Sequence, residues 1–208
     1  MFNRYIETDG SNKEFIFANI ALKNIDFALI SLDYIFNHSN FECGIYHDEH
    51  TFYFFHIQSI LNACGNLYDI FYNIRTHIWG DRNANPNVNP SIRSDQLRKT
   101  FGVHKRNFPT IFNKEARNTN THFDERYDVA GYIVGDYNLL DENTEPLIRD
   151  IINDNYHLRT YDKTNFIYYT FNSNWRKIRY DLKTLERELV ALRNLISGNP
   201  VTDSGWNE

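Results

Sequence analysis

The sequence predicts a mainly α-helical fold, an up-and-down helical bundle carrying a small C-terminal β-hairpin and a last amphipathic helix. Three observations predict it. Apolar residues recur at three- and four-residue steps through much of residues 1–155. Nine Gly and five Pro in 208 residues are too few for the frequent turns of a sandwich or barrel. Aromatic and β-branched residues concentrate between Tyr156 and Phe171, which is strand composition. With 41% hydrophobic residues, 16 Phe and 14 Tyr, the chain has the material for a core, so disorder is excluded. The length suits one core with decoration: a helical bundle over 1–155, with the hairpin and last helix over 156–208 packed on the same domain.

From Lys13 to Phe36 the apolar stripe runs through Phe17, Ile20, Ile25, Leu29, Leu32 and Phe36, with Ala21 and Ala28 between. Ser11 or Asn12 caps its start, and the polar run 37–40 ends it. A second helix is expected from His50 to His77, with Phe54, Ile57, Leu61, Cys64, Leu67, Phe71 and Ile74 on one face. Gly65 inside it marks a kink or a close helix contact. Residues 80–94, with two prolines and four asparagines, read as a loop. Ser94 and Asp95 then cap a short helix to Phe101. Phe108-Pro109-Thr110 breaks the chain, a helical segment follows from Ile111 to Ile133, and residues 143–155 form another short helix. Residues 156–161 and 165–171 pair as a hairpin around Asp162-Lys163-Thr164, and Trp175 to Tyr180 adds a third strand. Leu182, Leu185, Leu189, Leu192 and Ile196 define the core face of the final helix.

A formal charge of −5 excludes a protein coated in basic residues for nucleic acid, so any RNA contact must come from a local cluster. Cys43 and Cys64 form at most one bridge, and no Cys-x-x-Cys metal knuckle exists. The opening residues lack the apolar run of a signal peptide. Residues 51–68 carry no charge, but His56, Gln58, Ser59, Asn62 and Asn66 make them too polar for a membrane span. The expectation is a cytoplasmic protein with no membrane contact.

The most informative stretch runs from Arg117 to Arg126. A guanidinium pairs phosphate oxygens and offsets the charge that builds in phosphodiester cleavage. An imidazole titrates near neutrality and can move the 2′-hydroxyl or leaving-group proton. Arg117 and His122 supply these two groups, with Asn118 directly after the arginine. A five-residue offset sets Arg117 and His122 about 140° apart on an ideal helix, whereas Asn118 and His122 share a face. Either the first turn loosens at Thr119-Asn120-Thr121, or two copies face each other across a two-fold axis. Arg98 and His104 also have a suitable spacing, but no Asn, Asp or His follows Arg98. Glu125 and Arg126, three and four residues beyond His122, are positioned to support it. The alternative for the same charges is an ion-paired, solvated face.

Arg82, Arg93, Arg98, Lys99, His104, Lys105 and Arg106 make 80–106 the most basic stretch. It reads as an RNA-contacting segment, with Arg82, Arg93 and Arg98 as substrate-binding residues, or else as a solvated loop. His47, His50 and His56 suggest a metal site less well than Asp48 and Glu49 suggest an acidic helix start. No metal and no cofactor is expected.

The string Arg117-Asn118-Thr119-Asn120-Thr121-His122-Phe123-Asp124-Glu125-Arg126 resembles the HEPN superfamily, in particular a group of small bacterial HEPN-like proteins. The specific likeness covers about ten residues, and the hairpin is not part of the basic HEPN bundle. The resemblance implies a HEPN-like up-and-down helical bundle over 1–155. It also implies phosphate stabilisation by Arg117, acid–base work by His122 and polar support from Asn118. It further implies a homodimer with paired motifs, RNA as substrate, and a regulatory or antitoxin protein as partner. The function expected is a metal-independent endoribonuclease, a toxin or defence effector. The alternative is a non-catalytic HEPN-like RNA-binding or protein-interaction module.

Overall fold

Helix α1 (Lys13–Asn37) is apolar on nearly every side, and this shapes how it packs. Ala18, Ala21, Ile25, Ala28, Leu32 and Ile35 are buried, chiefly against helix α2 (Glu49–Phe71). Ile20, expected on the inner stripe, is instead 40% exposed, because a helix with two apolar faces gives periodicity no unique inward side. The computed structural model describes residues 13–37, 49–73, 90–113, 140–143, 157–172 and 176–198, with single positions 115, 118 and 174. Phe15–Asn37, not residues 51–68, is the stretch long and apolar enough to cross a membrane, yet it serves here as a core helix.

Helix α2 runs unbroken through the buried Gly65 but ends at Phe71, short of the expected His77. Its last carbonyls are taken by the next helix, α3 (Pro90–Phe101). Ser94 Oγ donates to Ile70 O at 2.9 Å, Arg93 Nη2 to Asp69 O at 3.5 Å, and Arg98 Nη1 to Phe71 O. A cap contributed from twenty or so residues away leaves no local trace in the sequence. Ile74 and the remainder of the expected second helix lie outside the described residues, as do the caps at 11–12.

The start of α3 also differs from the sequence expectation. The helix begins at Pro90, whose fixed φ and missing N–H suit the first helical position. Ser94 is therefore not an N-cap but a fully buried interhelical donor. Gly102 at φ 66° closes the helix, and Val103 N–H returns to Arg98 O at 3.0 Å. A 3₁₀ turn at Lys105–Asn107 follows, and Ile111 to Asn113 are turn and extended chain, not the helix expected there. Phe108, Ile111 and Phe112 are buried in this non-helical form.

Among the described residues four strands form one sheet in the order β1-β2-β3-β4: Leu140–Asn143, His157–Asp162, Ile167–Phe171 and Lys177–Asp181. The last three are antiparallel and realise the expected hairpin and third strand. Asp162 Oδ1 accepts the N–H groups of Thr164 and Asn165, both at 3.0 Å, which fixes the turn. Strand β1 is an addition to the expected elements. It pairs parallel with β2, Leu140 opposite His157, so Asn143 ends a strand and does not begin a helix. Leu-Asp-Glu-Asn has little strand propensity, and only the partner strand accounts for it. Residues 144–155 lie outside the described set.

Helix α4 (Leu182–Ser197) follows at once. Asp181 accepts Thr184 N–H at 2.9 Å as N-cap, and Gly198 at φ 70° ends the helix. Leu182, Leu185, Leu189, Leu192 and Ile196 are buried as the spacing predicts. They join one core with α1, α2 and the sheet tyrosines Tyr161, Tyr168 and Tyr180. Arg193 Nε to Asp26 Oδ1 at 3.0 Å and an edge-to-face Phe36–Phe166 pair bind this tail to α1. The fold is thus mainly helical with a small, mostly antiparallel sheet.

Candidate functional site

The motif segment begins where the chain leaves the core. Asn113 Oδ1 accepts the N–H of Glu115 at 3.1 Å, and Glu115 and Asn118 are both helical, an N-cap at the threshold of the motif. Asn118 is half-buried, and Asn172 Nδ2 donates to Glu115 Oε2 at 3.4 Å, tying this start to the end of β3. Arg117, His122, Glu125 and Arg126 lie outside the described residues, as does Arg82.

Immediately upstream the backbone is held by a buried carboxylate. Glu188 of α4 accepts Thr110 N–H at 2.9 Å, Thr110 Oγ1–H at 2.8 Å and Ile111 N–H at 3.0 Å. Tyr180 donates its hydroxyl to Thr110 O at 2.8 Å and also shares a hydrogen bond with the Cys64 thiol. Burial raises the Glu188 pKa above 4.5, and the bonds from Ile111 and Thr110 oppose the shift. Burial likewise pushes the Cys64 thiol up to about 12, so it is an inert, free core thiol and makes no bridge to Cys43. Sequence reasoning missed Glu188, although a signal was there. It falls three residues after Leu185 and four before Leu192, on the apolar face of its helix.

A basic groove of about 420 Å³ opens beside this segment, where the ends of α2 and α3 meet. Arg98, Lys99, His104 and Lys105 line it, with Tyr72 and Asp95. The Tyr72 ring lies 4.7 Å from that of Phe112, which connects the groove wall to the approach of the motif. Arg98 is largely committed: it binds Phe71 O, pairs with Asp95, and lies 4.7 Å over the Tyr72 ring. Arg93 is committed as well, half-buried with its guanidinium 4.1 Å over the Phe17 ring. The groups presented to solvent are Lys99, His104 and Lys105, with Arg106 next to them. Of the three arginines expected to bind substrate, the two described ones thus have structural partners, and the exposed cations are their neighbours.

His56 is buried, stacked on Tyr34 at 5.0 Å with Phe52 and Phe55 at its edges. The metal alternative groups it with His47 and His50, whose side chains are outside the described residues. Among the described residues no group of three or more His, Cys, Asp or Glu is gathered for a metal ion.

No family model, no curated protein and no solved structure matches the chain.

Proposed function

We propose that the chain is a metal-independent endoribonuclease of the HEPN type, working in the cytoplasm as a toxin or defence effector. The observation that carries the reading is the ten-residue string from Arg117 to Arg126. The capped helix start at Asn113 and the basic groove directly upstream support it. In this reading Arg117 pairs the scissile phosphate, and His122 takes the 2′-hydroxyl proton or protonates the leaving 5′-oxygen. Asn118 supports the pair, and Glu125 and Arg126 hold His122 in orientation. The products are a 2′,3′-cyclic phosphate and a 5′-hydroxyl. Lys99, His104 and Lys105 contact the RNA backbone on its way to the motif, in place of the Arg82, Arg93 and Arg98 set that the sequence suggests. A homodimer juxtaposes two motifs, and a regulatory or antitoxin protein restrains them.

The second reading is a non-catalytic RNA-binding or protein-interaction module. The apolar outer face of α1 favours it, since such faces mark interaction surfaces. The discriminating experiment is incubation of purified protein with labelled mixed RNA in EDTA, beside an Arg117→Ala/His122→Ala control. Cleavage by the wild type alone establishes the nuclease. RNA binding without cleavage establishes the module.

A further inference from the structure

The outward face of α1 presents Ile16, Ile20, Phe27, Ile30 and Tyr34, each 40–60% exposed. With Lys23 filling the one gap, their positions follow steps of three and four, the spacing of a seam that packs against another helix. At about 100° per residue they lie opposite Ala21, Ile25, Ala28 and Leu32, which face the core. A helix apolar on both sides is ordinarily covered on both. Phe55 of α2, 53% exposed, extends the face, and with Phe27 and Ile30 it walls an open groove of about 430 Å³ between the two helices. The groove contains no charged side chain, and Asn66 Nδ2 donates to Asn24 Oδ1 at 2.9 Å within it.

We propose that this face pairs with the same face of a second copy of the chain. The area fits. Six side chains about half exposed offer on the order of 500–600 Å² of apolar surface. That is the upper end of what a monomer shows, and most of the roughly 800 Å² per partner that a standard interface buries. The charges argue against a lipid surface. An interfacial helix flanks its apolar face with Lys and Arg, whereas α1 offers Lys23 with Asp26 and Asp33. The pattern is also self-complementary. An antiparallel pair of α1 helices with its two-fold axis between Phe27 and Ile30 sets Phe27 against the partner's Ile30. The same axis sets Lys23 against the partner's Tyr34, a cation over an aromatic ring. The pairing uses no residue of the Arg117–Arg126 string and holds whether or not the chain cuts RNA.

Light scattering on the full chain at micromolar concentration tests it, with a readout independent of RNA cleavage. The wild type is expected at twice the 24.8 kDa chain mass, and Phe27→Glu and Ile30→Glu at the chain mass itself. Both side chains point away from the core, and circular dichroism checks that the variants fold. A Phe27→Cys/Ile30→Cys chain in a Cys43→Ser background should, on oxidation, run as a covalent dimer on a non-reducing gel. A monomeric wild type overturns the proposal. So does a dimer unchanged by both glutamate substitutions with no cross-link formed, or binding to neutral phosphatidylcholine vesicles by a monomer that Phe27→Glu abolishes.

Discussion

The carboxylate of Glu188 holds the backbone N–H groups of Thr110 and Ile111 at 2.9 and 3.0 Å, joining the last helix to the chain that enters the motif. Replacing it by Gln keeps the size but turns an amide N–H₂ toward a backbone donor. We expect Glu188→Gln to destabilise the fold by about 1–3 kcal/mol, the cost of a buried donor left unmade. The pH dependence has a defined sign. Because burial raises the folded-state pKa above 4.5, the stability linked to this group is fully present below 4.5 and is lost as pH rises through the raised value. The stability advantage of wild type over Glu188→Gln should therefore be larger in acid than at neutrality. Urea denaturation of both proteins at several pH values checks it, and an advantage that grows with pH would refute the assignment.

Arg93, Ser94 and Arg98 close the end of α2, and their substitution is a stability experiment first. Ser94→Ala should cost about 1–3 kcal/mol, since it leaves a buried carbonyl without its donor. Thermal melts of Ser94→Ala and Arg93→Ala should both shift downward. An unchanged melting temperature in Ser94→Ala would mean that α2 ends for another reason.

The exposed cations permit a cleaner test of RNA binding. Lys99→Ala/Lys105→Ala should leave the melting temperature unchanged, because both side chains are exposed. It should weaken RNA binding and flatten the dependence of log affinity on log salt, by about 0.7 for each single-strand phosphate that the variant no longer neutralises. Titration of a labelled RNA at several salt concentrations measures the slope. An unchanged slope would take the groove out of the RNA path.

How much of the fold is legible in the sequence follows from which forces are local. The final helix is legible to the residue, because Leu182, Leu185, Leu189, Leu192 and Ile196 form a single apolar stripe with Asp181 and Gly198 as its own caps. The hairpin is legible for a similar reason, since Asp162 organises its turn from within. The end of α2, the start of α3 and strand β1 are not, since each depends on a partner distant in sequence. Ile20 departs from its stripe because α1 has two apolar faces. In the site, the sequence marks the basic stretch, but which cations are exposed is set by the fold: Arg98 turns inward to Phe71 O while Lys99, one residue on, stays in solvent.

The chemistry proposed for the motif makes a graded prediction. His122→Ala should abolish cleavage while RNA affinity changes little, because proton transfer is required only on the way to the transition state. Arg117→Ala should reduce cleavage and affinity together, since a phosphate partner acts in the ground state as well. Asn118→Ala should give a smaller loss, about tenfold, matching a supporting hydrogen bond of ~1 kcal/mol. Because Asn118 is half-buried and helical just beyond the Asn113 cap, this variant also needs a melt beside the assay. EDTA should leave the wild-type rate unchanged, and the rate should vary with pH through the imidazole range. Cleavage of a labelled RNA by each variant, with circular dichroism to confirm folding, decides the matter. Full activity in folded His122→Ala protein would remove the nuclease from this site. Activity abolished only in EDTA would return attention to His47 and His50.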